Sequence, residues 1–245
     1  MRESGILMHI TSLPTPYGIG TMGKDAYAFV DFLVRAGQRY WQILPLTPTG
    51  YGDSPYQSLG ACAGNHYLID LDRLADEGLL KKEEIQNISW GSNPARVDFG
   101  AMYAHRMNVL RLAFQRFAPD EAYETFVEQN RSWLEDYALF TALKDTLGGK
   151  PWLDWPEALR LRKADALTEK RRELSDEIRL QYFVQYEFDR QWKALRNYAN
   201  AKGVRIIGDV PIYVPLDSAD VWANPELFQL DESRHPEQVA GCPPD

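Results

Sequence analysis

The stretch KDAYAFVDFLVRAGQRYWQILPL, Lys24–Leu46, decides the fold class. Over Lys24–Ala36, Ala26, Phe29, Val30, Leu33 and Val34 recur at helical spacing and share one face. Gly37 follows where a helix commonly ends on a left-handed residue. Tyr40–Leu44 then reads as a strand closed by Pro45. Upstream, Gly5–Ile10 is a short apolar run ahead of Pro14 and Pro16, read as a buried strand running into a loop with His9 at its carboxyl end. Strand, helix, strand in this order predicts a right-handed parallel unit. Downstream, VRIIGD, Val204–Asp209, reads as a third strand ending in an acid before Pro211. The chain is therefore of the α/β class, and ligand sites of parallel α/β sheets lie at the carboxyl ends of the strands.

The second strand delivers a long loop to that end: TPTGYGDSPYQSLGACAGNHYLIDL, Thr47–Leu71. Tyr51 and Tyr56 flank Asp53 and Ser54, among Gly50, Gly52, Gly60 and Gly64. A pyranose offers an apolar face to an aromatic ring and a rim of hydroxyls to short polar side chains, so this mixture suits a sugar. The alternative is a well-packed surface loop with incidental tyrosines, and spacing alone leaves both open. Asp209 is open in the same way: at a strand's ligand end it faces substrate, or it caps or braces backbone. His9 either bonds a sugar hydroxyl or is held by loop carbonyls.

From Arg73 to Gly203 strand signals give way to amphipathic helices. Pro119–Leu147 carries Phe126, Trp133, Leu134, Tyr137 and Leu139–Leu143; Ser175–Ala201 carries Ile178, Tyr182, Phe183, Tyr186, Trp192 and Leu195. These stripes read as core. In PWLDWP, Trp152 and Trp155 read as helix caps in preference to a sugar platform, while Lys81–Glu84 and Glu169–Glu173 read as solvated faces. Pro211–Asp245, rich in proline and poor in periodicity, reads as one long loop.

Composition narrows the ligand. A net charge of −8 argues against nucleic acid and anionic lipid as partners, and 44% hydrophobic residues suffice for a packed core. Cys62 and Cys242 lack CxxC spacing and read as two buried free thiols of a cytoplasmic protein; no apolar run approaches a signal peptide or membrane span. His9, His66, His105 and His235 lack metal-ligand spacing, so no metal site is expected. Gly18, Gly20 and Gly23 spell GxGxxG, but Thr11–Tyr17, with two prolines, separates them from the strand, and a nucleotide reading fails.

The phrases SGILMHITSLPTPYGIG, LPLTPTGYGDSPYQS, AGNHYLIDL, WLEDYALFTALK, IGDVPIYV, SADVWANPELF and AGCPPD, in this order, resemble the 4-α-glucanotransferases, the amylomaltase or disproportionating-enzyme family of glycoside hydrolases. The resemblance runs from Ser4 to Asp245. It implies the N-terminal part, about three strands, of a (β/α)8 barrel, with residues 1–72 holding strands 1 and 2 and the substrate loop, 73–203 a helical insertion subdomain, and 204–245 strand 3 and the following active-site loop. It also implies transfer of α-1,4-glucan segments between maltooligosaccharides or starch by a retaining double displacement without cofactor. In the family the catalytic carboxyls come from later strands, so the resemblance implies a chain about half the family's length that stops mid-fold, lacks the catalytic acids and is inactive alone. The residues it assigns to substrate are Tyr56, stacked on the sugar at the cleavage point, Asp209 beside that subsite, and Ser54 in the same wall. Tyr51 and Phe99 stand where some members have a second glucan site. His66 replaces a proline usual in the family. A glucan-binding fragment without chemistry, and an α-glucan hydrolase on the same barrel, are the alternatives.

Overall fold

The computed structural model describes residues 2–50, 52–93, 95–211 and 213–236. Three short strands, β1 (Gly5–Leu7), β2 (Tyr40–Gln42) and β3 (Arg205–Ile207), form a parallel sheet in the order β1-β2-β3. Register aligns Ile6, Trp41 and Ile206 on one face and Leu7, Gln42 and Ile207 on the other. Gly5 is required because a Cβ there would sit 2.5 Å from Tyr40.

The two faces differ. Trp41 is fully buried: its ring meets Phe29 edge-on at 5.1 Å, and its Nε1 donates to the Met8 carbonyl at 2.7 Å. Phe29 belongs to α1 (Lys24–Arg35), whose Ala26, Val30 and Leu33 enter the same core. Gly37 ends that helix at φ +69, as its position predicts. Leu7 and Ile207, in contrast, are 55% and 43% exposed. The buried-strand reading of Gly5–Ile10 is thus corrected: only Gly5–Leu7 is strand, one face is open, and Ile10–Ser12 is a 3-10 turn. Val34, placed on the apolar helix face, is exposed, because the 12 residues of α1 overrun a three-residue strand.

From Leu71 to Ala201 the regular elements of the described residues are helices: α2 (Leu71–Asp76), α3 (Lys82–Gln86), α4 (Phe99–Phe114), α5 (Glu121–Thr146), α6 (Glu157–Arg160), α7 (Ala164–Glu173) and α8 (Ser175–Ala201). Asp70, Asp98 and Asp120 accept from the backbone N–H three residues on and so start α2, α4 and α5. The long α5 and α8 pack along one another, and α8 also touches α1 and β3. Ile10, Trp41, Leu110, Phe183 and Val204 consequently share one core. Trp152 and Trp155 are buried in a second core with Phe140 and Trp222, which removes the sugar-platform reading of PWLDWP. Trp222 lies on α9 (Ala219–Ala223), started by Ser218, within the segment read as one long loop. That expectation fails because five residues are too few to show helical periodicity, and burial of Trp222 supplies the stability they lack. The glycines of the rejected GxGxxG serve close packing: a Cβ on Gly20 would lie 1.8 Å from the Ile10 carbonyl, and one on Gly23 1.9 Å from Asp70.

Candidate active site

At the carboxyl ends of β2 and β3 the backbone continues through Ile43, whose N–H donates to the Ile207 carbonyl at 2.9 Å, and then turns outward at Pro45. The loop that follows folds into a small tongue. An antiparallel bridge joins Thr49 to Ser58, and the Gly50 N–H donates to the Gln57 carbonyl at 2.8 Å. Gly52 and Asp53 at its tip hold φ +84 and +57. Glycine takes that conformation freely, and aspartate is among the few other residues that tolerate it.

Tyr56 stands on the returning limb, 45% exposed, and its hydroxyl donates to Oδ2 of Asp209 at 2.8 Å. Residues 153 positions apart thus meet where β2 and β3 end. The hydrogen bond to Asp209 is the main reason the Tyr56 hydroxyl titrates above its ordinary range. The other Asp209 oxygen accepts the Val210 N–H at 2.8 Å. The backbone-bracing reading thus describes one oxygen of this acid, while the other holds the exposed tyrosine. The Ser54 hydroxyl accepts the Tyr56 N–H at 3.3 Å, shaping the turn below the ring.

Asp53 points elsewhere, accepting a hydrogen bond from the hydroxyl of Tyr103 on α4. Burial, with the Asp53 bond adding to it, pushes the Tyr103 hydroxyl up to about 12. Phe99, one turn earlier, lies 6.4 Å from the Tyr67 ring, and Tyr103 lies 6.2 Å from the same ring. Asp53, Phe99 and Tyr103 therefore group together, apart from the Tyr56–Asp209 bond; Tyr51 lies outside the described residues. His9 is half-buried, its Nδ1 has no hydrogen-bond partner, and burial lowers its pKa to about 4. Loop carbonyls do not hold that nitrogen. Cys62 is exposed, which corrects the reading of two buried thiols: the loop is a surface tongue, and Ala63 beside it takes the buried position. Cys242 lies outside the described residues.

The family model described as 4-alpha-glucanotransferase matches residues 8–245. The chain belongs to the 4-alpha-glucanotransferase family. It is 52% identical over 250 residues to the 4-alpha-glucanotransferase of Thermus thermophilus, covering 100% of this chain and 49% of that protein. With the Clostridium butyricum 4-alpha-glucanotransferase it shares 48% identity over 241 residues, 97% of this chain and 50% of the relative. The fold superposes on the amylomaltase from Streptococcus agalactiae in complex with acarbose with a TM-score of 0.94 at 48% identity, over 100% of this chain and 50% of that one. The chain thus spans about half the length of the relatives it matches.

Tyr103 is the residue near these positions that sequence reading passed over. Phe99 and Tyr103 are four apart, hence on one helical face, and that spacing was the available signal. That α4 lies against the loop tip, so that its hydroxyl reaches Asp53, is decided by tertiary packing alone.

Proposed function

We propose that the protein works in transfer of α-1,4-glucan segments between maltooligosaccharides or starch by a retaining double displacement, without cofactor. The bond from Tyr56 to Asp209 across the carboxyl ends of β2 and β3 carries this reading. It fixes an exposed aromatic ring beside a carboxylate, the pairing a pyranose needs for its apolar face and its hydroxyls. Tyr56 stacks on the sugar, Asp209 orients it, Ser54 shapes the wall, and His9 lies at the same end of the sheet. Tyr51 and Phe99 belong to a second glucan contact, and Asp53, a substrate residue of the same loop, is held by Tyr103.

The sheet is read as the first three strands of a (β/α)8 barrel, with 1–72 and 204–245 as barrel and active-site loops and 73–203 as a helical insertion subdomain. The open face bearing Leu7 and Ile207 supports this, since barrel interiors are filled by such side chains. Retaining transfer needs two carboxyls about 5 Å apart, one attacking the anomeric carbon and one protonating the leaving oxygen. A sugar hydroxyl then opens the intermediate in place of water. Among the described residues no helix is long and apolar enough to cross a membrane. A cytoplasmic location is part of the same proposal.

The test is an enzyme of full family length carrying these residues, incubated with maltotriose. Glucose together with maltopentaose supports transfer. Shorter products alone would make it an α-glucan hydrolase, and no turnover of any α-glucan would overturn the reading.

A further inference from the structure

On the flank of the substrate loop lies a hollow that neither the Tyr56–Asp209 pair nor the Phe99 group uses. It encloses about 310 Å³ between the backbone of Ala61–Gly64 and the helices α5 and α8. Phe126, Asn130 and Trp133 of α5 repeat at four and three residues; Gln185, Phe188, Asp189 and Trp192 of α8 repeat at three, one and three. Each set is a single helical stripe, so the packing of α5 on α8 turns both toward one space. A second hollow, of about 570 Å³, continues between the same helices and shares Phe126 and Asp189 with the first. The two adjoin at Phe126 and Asp189, and we treat them together as a furrow whose first part begins at Leu46 and Thr47, at the root of the substrate loop.

Its lining has a definite chemistry. Trp133 and Trp192 are half-buried, with part of each indole open to the furrow. Trp133 is held in place: its Nε1 donates to Asn130 Oδ1 at 3.0 Å, and the Asn130 amide donates to the Phe126 carbonyl at 2.8 Å. Asp189, paired with Lys193 at 2.7 Å, is the one charged group of the first hollow. An anion entering the first hollow would meet that carboxylate, the second hollow adds Glu121, Arg190 and Lys193 and so carries both signs, and an apolar ligand would strip these charges of water without replacing their hydrogen bonds. A neutral polyhydroxylated chain satisfies both requirements, covering indole faces with its apolar sides and bonding Asp189 with hydroxyls. The furrow's length, along two or more helical turns, suits a linear chain better than a single sugar.

We propose that the furrow between α5 and α8 is a further carbohydrate site that takes a linear α-1,4-glucan. The proposal rests on the glucan reading of the protein. Its lining includes none of Tyr56, Asp209, Phe99 or Tyr103. A segment bound here would remain attached to the enzyme near the root of the substrate loop between encounters.

Electrophoresis of the folded protein through native gels with and without soluble starch tests this. Starch should retard the protein, Tyr56→Ala should keep most of the retardation, and Trp192→Ala and Trp133→Ala should each weaken it at least threefold. Because a tryptophan truncation can unfold a helix, the unmutated protein gives a second measurement: maltohexaose should slow maleimide labelling of Cys62, which lines the first hollow, as read from the Cys62 peptide mass. Retardation lost in Tyr56→Ala but kept in both tryptophan variants, or labelling of Cys62 unaffected by maltohexaose, would overturn the furrow site and leave the glucan reading standing. No retardation of the unmutated protein would overturn both.

Discussion

Replacing Tyr56 separates its two roles. With 45% of the residue exposed, and an aromatic side chain covering roughly 150–250 Å² when buried, about 90 Å² remains for a sugar to cover. At about 25 cal/mol per Å² that contact contributes about 2 kcal/mol, so Tyr56→Ala should lower kcat/KM for maltotriose transfer roughly 30-fold. Tyr56→Phe keeps the ring and loses only the bond to Asp209. An exposed hydrogen bond of this kind contributes about 1 kcal/mol, so a loss of roughly fivefold is expected. If stacking tightens as the sugar ring flattens toward the oxocarbenium state, the alanine variant should lose more in kcat than it gains in KM. The assay is glucose release from maltotriose over a range of concentrations, in a family-length enzyme carrying these residues, with the melting temperature checked in parallel. Alanine and phenylalanine variants both within twofold of the parent would show that the tongue is packing only. Equal, large losses in both would mean that the hydroxyl, and not the ring face, carries the effect.

Asp209→Asn should cut transfer at least tenfold while moving the melting temperature by no more than about 2 °C, since Asp209 is exposed and asparagine can still accept the Val210 N–H; a large drop in melting temperature with normal turnover would mark it as structural. His66 has its pKa lowered from 6.5 to about 3, first by burial and then by the Arg106 charge. The folded form therefore stays neutral while the unfolded chain takes a proton below pH 6.5, and stability should fall from pH 6.5 toward 3, by up to about 3 kcal/mol at pH 4.5 and less as solvent reaches the half-buried ring. His66→Gln should flatten that part of the urea-measured pH profile, and an unchanged slope would refute the assignment. Gly64→Ala would place a Cβ 2.0 Å from the Phe188 ring at a residue whose N–H and carbonyl are both bonded to Gln185, so a loss of roughly 1–3 kcal/mol, read as a lower urea midpoint, is expected; an unchanged midpoint would show that Phe188 can move aside.

The sequence by itself determined the parallel α/β order, since the helical face of Lys24–Arg35, the stop at Gly37 and the apolar runs around it are local signals. It also marked α5 and α8 as core helices and Tyr56 and Asp209 as residues of interest, because residue type and place at a strand's end are written in the chain. Their meeting was not written there: the 2.8 Å contact depends on the parallel register of β2 against β3, which brings together residues 153 positions apart. The same holds for Tyr103, which reaches Asp53 only because α4 crosses the tongue, and for the furrow, whose two stripes look like ordinary core until α5 and α8 are laid side by side. Cys62 shows the limit in the other direction. A cysteine among small residues reads as buried, yet burial depends on what packs above it, and the tongue turns Ala63 inward while leaving Cys62 in solvent.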